Sequence, residues 1–321
     1  MLAAYAARID AADPLSGLVV DERPEPEVPS GWTTVDVRAA SLNHHDLWSL
    51  RGVGLPADRL PMILGCDAAG VDADGNEVIV HGVIASDGWL GDETLDPRRS
   101  LLSERFQGTF AERVAVPRHN LIAKPAELSF EHAACLPTAW LTAYRMLFTR
   151  GRLAPGMTVL VQGAGGGVAT ALIALARAGG LRVWATSRSE SKRARALELG
   201  ADAAFEPGAR LPERVDAVME TVGDATWDHS LKSLKPGGIV VVSGATSGPN
   251  PAAALNRVFF LQLSVVGSTM GSRDELERLV RLCVERDVRP AISTTLPLAD
   301  ARDAFAALEA GDVFGKLVLT P

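Results

Sequence analysis

Cysteine is scarce. The 321 residues hold three, Cys66, Cys135 and Cys283. An odd number without close pairs excludes a disulfide framework and fits a reducing compartment. Long apolar runs are missing: nowhere do about 18 apolar residues follow one another, the length a membrane-spanning helix needs. Positive charge is not in excess. The net charge is −7 and the isoelectric point about 5.5, and the basic residues are scattered, so nothing marks a nucleic-acid partner. The opening MLAAYAARID has no basic segment ahead of its apolar residues, so no secretory signal is expected. A cytoplasmic protein, with neither membrane nor nucleic acid as partner, is expected instead. Internal repeats and low-complexity tracts are also missing.

What is there is ordinary globular material, 47% hydrophobic and 22% charged, in a chain long enough for about two domains of roughly 100–200 residues. The first part is rich in short β-type runs punctuated by Pro, Gly and Asp. VPSGWTTVDVRAASLN alternates between Thr34 and Arg38, and GNEVIVHGVIA and GTFAERVAVP are further strands. The pattern changes near Leu128. SFEHAACLPTAWLTAYRMLF reads as helix, with Ser129 and His132 at N-cap and N3. From Met157 onward strands and helices alternate, and the strands are almost continuously apolar. That pattern predicts a parallel sheet covered on both faces. The final segment, ending in GKLVLT, has no helix–strand partner of its own and is expected to return to the first domain.

VLVQGAGGGVATALIALA is the most informative stretch. A strand runs into Gly163, Ala164, Gly165, Gly166, Gly167 and Val168, and a helix follows. Glycines permit a tight turn and close backbone approach to a pyrophosphate, and the helix N-terminus offers free N–H groups to it. At the end of the next strand, RVWATSRSESKR carries Thr186, Ser187 and Arg188, with Lys192 one turn on. NAD sites usually place a carboxylate there. Hydroxyls and fixed cations suit a 2′-phosphate, so NADP(H) is the expected cofactor.

Together, SLNHHDL, PMILGCDAAG, GTFAERVAVP, AACLPTAWLTAY, the glycine loop, LKPGGIVVVSG and GKLVL resemble the medium-chain dehydrogenase/reductase superfamily. The resemblance is nearest to its zinc-independent quinone oxidoreductase-like branch. It implies an α/β fold: a Rossmann doubly wound parallel sheet (124–269) inserted in a GroES-like β-barrel domain (1–123 with 270–321), and an active site in the cleft between them. It also implies cofactor contacts from Thr142, Thr221 and Val222, from Ser243, Gly244 and Ala245, and from Gly267, Ser268 and Thr269. Lys316 matches a recurrent lysine, expected either to be structural or to reach the cofactor's phosphates. Pairing of the outermost strand, QLSVVGST, across a twofold axis implies a homodimer.

The histidines of SLNHHDL raise the question of a metal. By the resemblance, the ligand positions of zinc-dependent relatives correspond to Asn43, Cys66 (with Asp67) and Thr138, and the lobe between Gly88 and Phe110 lacks cysteine. His44 and His45 are neighbours, which point apart on a strand and about 100° apart on a helix. A zinc reading would need Cys66, Asp67 and one histidine to converge. The expectation is therefore no metal. Without a Lewis acid, hydride addition to a quinone or an α,β-unsaturated carbonyl (an enal or enone) is the easier reaction. Asn43, His44, His45 and Asp46 are the candidate polar groups, and Trp48 either shapes a pocket for a flat substrate or packs in the core. Two alternatives stand beside this: an NADP-dependent alcohol dehydrogenase or aldehyde reductase, and a non-catalytic NADPH-binding protein.

Overall fold

A computed structural model describes all of residues 1–321. The chain divides into two units, Met1–Ala139 with Met270–Pro321, and Trp140–Thr269.

The first unit is built on the strand Trp32–Ser41, whose early residues alternate inward and outward while Ala39, Ala40 and Ser41 are all buried. It pairs antiparallel with Ala68–Asp72 and with Arg113–Pro117. The C-terminal segment does return here: Lys316–Thr320 adds antiparallel to the end of Trp32–Ser41, and Ile292–Pro297 adds parallel to Lys316–Thr320. Two registers matter for the site. Ala40 faces Ala68, which brings Ser41 beside Asp67. Val318 faces Ser41, which carries Lys316 to the level of Asn43.

Inward-pointing Val35, Val37, Val78, Val80, Leu317 and Leu319 form the core with Leu47 and Leu50 of the helix His44–Leu50. Spaced three apart, Leu47 and Leu50 share one helix face. Phe305, on the helix Ala301–Ala310, meets Phe110 edge-on with ring centroids 5.9 Å apart. Burial of each such side chain contributes about 1.5–3 kcal/mol.

The change of pattern near Leu128 marks a switch from strand to helix and not the end of the unit. Ser129 caps the helix Phe130–Ala134, its Oγ accepting from His132 N at 3.3 Å. That helix packs on the strands Trp32–Ser41 and Ala68–Asp72, so the first unit runs to Ala139. The expected start of the second unit at residue 124 is corrected to Trp140, because the apolar face of this short helix covers the β domain.

The second unit is a six-stranded sheet, all of its pairs parallel, in the order Ala203–Phe205, Arg182–Thr186, Thr158–Val161, Val215–Glu220, Leu234–Val242, Ser264–Gly267. Numbered within the unit this is 3-2-1-4-5-6, the doubly wound order of dinucleotide-binding sheets. Thr158–Val161 is fully buried at the centre. The helix Gly167–Ala178, buried from Ala169 to Ala176, covers it. Leu160, Trp184, Val218, Leu231, Val240 and Leu263 join the strands and helices in one apolar cluster. The last strand, Ser264–Gly267, is the outermost, and its exposure there matches its position.

Candidate functional site

In the first unit a polar network closes around the end of the strand Trp32–Ser41. Lys316 is buried, and its Nζ donates to Leu42 O at 2.5 Å and Asn43 Oδ1 at 2.6 Å, and lies 3.5 Å from Asp67 Oδ2. Asn43 Nδ2 donates to Asp67 Oδ2 at 2.8 Å, and Ser41 Oγ donates to the same oxygen at 2.8 Å. Cys66 Sγ is 3.9 Å from Asn43 Nδ2 and 3.3 Å from Thr138 Oγ1. Burial, then Asp67 and Asp46, push the Cys66 thiol well above its usual range.

The helix beginning at His44 presents the rest. Asp46 is wholly buried, and its carboxyl accepts from Asn43 N at 2.8 Å and Gly65 N at 3.2 Å. Gly65 has φ +92, and a Cβ there would come within 2.6 Å of Thr109 Oγ1 and Phe110, so only glycine brings this N–H to the carboxyl. Burial pushes the Asp46 carboxyl up to about 7. His44 is exposed; partial desolvation, then the charges of Lys316 and Arg51, hold it below the usual histidine range. His45 is also held low by burial, and its Nε2 lies 3.4 Å from Ser103 Oγ and 3.8 Å from Glu104 Oε1. Trp48 is half-buried.

Of the sequence-predicted residues here, Asn43, Cys66, Asp67, Thr138 and Lys316 come together. His44 and His45 stay outside that network. The phosphate-reaching alternative for Lys316 is corrected: its three donor directions are all taken within the first unit, because two strand registers carry it to Asn43 and Asp67.

The zinc implied by the family's dehydrogenases does not fit these donors. Zinc asks for three or four converging thiolate, imidazole or carboxylate ligands. Here the three positions hold an amide, a single thiol and a hydroxyl, and the neighbouring carboxylate already faces an ammonium.

In the second unit the parallel order brings the strand ends to one edge, and the predicted cofactor residues lie there. Gly163 follows the central strand, Ser187 the strand Arg182–Thr186, Thr221 and Val222 the strand Val215–Glu220, Ser243, Gly244 and Ala245 the strand Leu234–Val242, and Ser268 and Thr269 the strand ending at Gly267. Hydrogen bonds join neighbours: Ala164 N to Thr186 O at 2.7 Å, Ser243 N to Glu220 O at 2.9 Å, Ser268 N to Val242 O at 2.9 Å. Thr142 is buried on the helix Leu141–Tyr144.

These residues fit a dinucleotide. Gly166 caps the twelve-residue helix Gly167–Ala178, and a Cβ built on it would meet nothing within 4 Å, so the helix N-terminus has room for a phosphate. Gly165, at φ +134, leaves passage for Lys192, whose Cδ would stand 2.8 Å from any Cβ there. That contact lays a lysine side chain across the loop. Gly167 and Val168 open the helix. Arg188 is exposed at the strand end, and Arg193 Nη1 donates to Ser187 O at 2.8 Å, ordering the turn.

Sequence reasoning missed the layer beneath. Thr186 Oγ1 donates to Gln162 Oε1 at 2.6 Å, Gln162 Nε2 lies 3.0 Å from Ser230 Oγ and from His229 Nδ1, and Ser230 Oγ donates to Glu220 Oε2 at 2.5 Å. Glu220 Oε1 in turn accepts from Val222 N at 2.8 Å and Gly223 N at 3.1 Å. The one sequence signal was a glutamine inside an apolar strand, since buried polar groups need partners.

Comparison with known proteins agrees with this architecture. Residues 29–126 match the alcohol dehydrogenase GroES-like domain and residues 167–285 the zinc-binding dehydrogenase domain. The acryloyl-coenzyme A reductase of Metallosphaera sedula is 29% identical, with 95% of this chain and 96% of that protein aligned. A solved NAD-dependent alcohol dehydrogenase is 34% identical, with all of both chains covered and a TM-score of 0.92. The 2-octenoyl-CoA carboxylase reductase CinF, solved with NADP and 2-octenoyl-CoA, is 25% identical, with 99% of this chain and 87% of that one covered and a TM-score of 0.90. With a strand order, a glycine loop and a full-length likeness that all agree, the chain belongs to the medium-chain dehydrogenase/reductase superfamily and is an oxidoreductase.

Proposed function

We propose that this oxidoreductase is a zinc-independent, NADPH-dependent reductase of a carbon–carbon double bond conjugated to a carbonyl, with an enoyl thioester the first substrate to try and quinones, enals and enones the wider class. The observation that carries the reading is the Lys316–Asn43–Asp67 network at the position of the relatives' zinc ligands. An alcohol needs its proton removed and its alkoxide stabilised as hydride leaves, the part a Lewis acid plays in the zinc relatives. A conjugated acceptor does not, since its enolate is already delocalised and needs only hydrogen-bond donors near oxygen.

When bound, NADPH supplies the hydride. The chain's own part is to hold it. The helix N-terminus at Gly166 takes the pyrophosphate, and Ser187, Arg188 and Lys192 take the 2′-phosphate. No carboxylate stands at Ser187 to repel that phosphate. The relatives named for acryloyl-CoA and 2-octenoyl-CoA support the substrate class. Water supplies the proton for the α-carbon.

A second reading, an alcohol dehydrogenase or aldehyde reductase, draws on the NAD-dependent relative. The two separate in one assay: oxidation of NADPH and NADH against enoyl-CoA thioesters, enals, enones and quinones, and the reverse reaction with alcohols. The proposal expects NADPH to be consumed with conjugated acceptors. Turnover confined to alcohols and aldehydes, or a clear preference for NADH, would sink it.

We also propose a homodimer through the strand Ser264–Gly267. Its outer edge has no partner within the chain, and Leu255, Phe259, Phe260 and Val265 stand exposed on the same unit. No helix is long and apolar enough to cross a membrane.

A further inference from the structure

The network in the first unit opens at a single residue. Ser41, Asn43, Cys66, Asp67 and Lys316 are all buried. Thr138, on the π-helical segment Leu136–Trp140, is the member that keeps part of its surface accessible. Hydrogens can be followed one by one. Lys316 has three, directed to Leu42 O, Asn43 Oδ1 and Asp67 Oδ2. Asn43 Nδ2 has two, one directed to Asp67 Oδ2 and the other lying between Ser41 O at 3.4 Å and Cys66 Sγ at 3.9 Å. Ser41 Oγ donates to Asp67 Oδ2. Every donor is therefore engaged inside the network except in the Cys66–Thr138 pair, whose two hydrogens have one contact between them, 3.3 Å long, while the sulfur also accepts from Asn43 Nδ2 at 3.9 Å. The Cys66 sulfur is closed to water and already accepts from Asn43 Nδ2. With S–H directed at Thr138 Oγ1, the threonine hydrogen is left for the accessible side.

We infer that the Thr138 hydroxyl is the donor that takes the substrate's carbonyl oxygen as it becomes an enolate. The inference rests on the reading given under Proposed function. As the β-carbon gains hydride, the C=C π pair moves toward the carbonyl and negative charge collects on its oxygen. The α-carbon then takes a proton from water, and NADPH has become NADP⁺. A donor aimed at that oxygen stabilises the charge where it develops, and loss of one such donor lowers kcat by about 10²–10³-fold. This assigns catalysis to a position that in zinc relatives corresponds to a metal ligand, with a neutral donor doing part of a Lewis acid's task.

The test compares Thr138→Val, Thr138→Ala and Thr138→Ser with the parent, using crotonyl-CoA and a benzoquinone as acceptors and NADPH binding as a separate measurement. Valine and alanine are expected to lower kcat on crotonyl-CoA by about 10²-fold, with NADPH affinity within about twofold. Serine, which keeps the hydroxyl, is expected to retain most activity. The loss on the quinone is expected to be smaller, because its phenolate product is less basic and leans less on a donor. A merely structural role would lower both alike. A parent active on crotonyl-CoA with Thr138→Ala within about threefold of it, equal losses on both acceptors, or a serine variant as poor as alanine would each overturn the assignment alone. A parent inactive on every conjugated acceptor would overturn the proposed function first, and this assignment with it.

Discussion

Lys316 Nζ stands 3.5 Å from Asp67 Oδ2, and neither side chain is reached by water. A buried charge pair of this kind is held by its geometry, and removing one partner leaves the other uncompensated. Lys316→Met is expected to destabilise the protein by about 3–5 kcal/mol in chemical denaturation. Adding Asp67→Asn to it should recover a large part, since the amide oxygen still accepts from Ser41 and Asn43 and no charge remains. A double variant no more stable than Lys316→Met would show that the pair is not coupled.

The same ammonium bears on metal content. The donors at Asn43, Cys66 and Thr138 are not a zinc set. Purified protein is expected to carry far less than one zinc per chain, and dialysis against a chelator should leave turnover unchanged. Stoichiometric zinc whose removal abolishes activity would contradict both expectations.

Cofactor choice turns on Arg188, exposed at the end of the strand Arg182–Thr186. A hydrogen bond between charged groups contributes about 1.5–3 kcal/mol. Arg188→Ala is therefore expected to weaken NADPH binding roughly ten- to a hundredfold and to leave NADH within about twofold, measured by fluorescence titration. Equal weakening of both would mean that the arginine orders the turn and does not read the phosphate.

Much of this was legible in the sequence because it is local. Strand, glycine loop and helix follow one another between Thr158 and Ala178, so one window of sequence holds the whole phosphate cradle. The absent carboxylate at Ser187 could be read in the same way. The network of the first unit is different. Asp67 and Lys316 are 249 residues apart, and only the registers of Trp32–Ser41 with its two neighbours bring them together. Sequence therefore left open whether Lys316 was structural. Residues 130–134 are helical by pattern yet belong to the β domain, because which surface a helix covers is decided by tertiary packing. Gln162 and Glu220 escaped notice because a lone buried polar residue shows its partners only in three dimensions.

Asp46 offers a pH test. Its carboxyl sits at about 7 in the folded chain against 3.8 for the free group. Between those values the folded form holds a proton that the unfolded form has released. Its contribution to stability is thus fully present below about 3.8 and is lost as pH rises toward about 7, at no more than about 1.4 kcal/mol per pH unit. Asp46→Asn removes the titration. The stability of the parent relative to this variant should fall as pH is raised from 5 to 7 and then level off. A gap that stays constant, or widens with pH, would mean that Asp46 is ionised in the folded chain.

The outer strand of the second unit predicts an assembly. Leu255 is 68% exposed, Phe259 67%, Phe260 81% and Val265 48%, all in the second unit. Ser264–Gly267 pairs on one side only, with Leu234–Val242. Unpaired strand groups beside exposed aromatic rings favour association with a second copy, and a twofold axis lets identical edges pair. Each phenylalanine covered in that way contributes about 1.5–3 kcal/mol. Sedimentation of the parent at micromolar concentration is expected to give a dimer, and Phe260→Asp with Val265→Lys is expected to give a monomer that still binds NADPH, since the glycine loop lies at the end of a different strand. A parent that sediments as a monomer, or a dimer indifferent to both substitutions, would place the contact elsewhere or remove it.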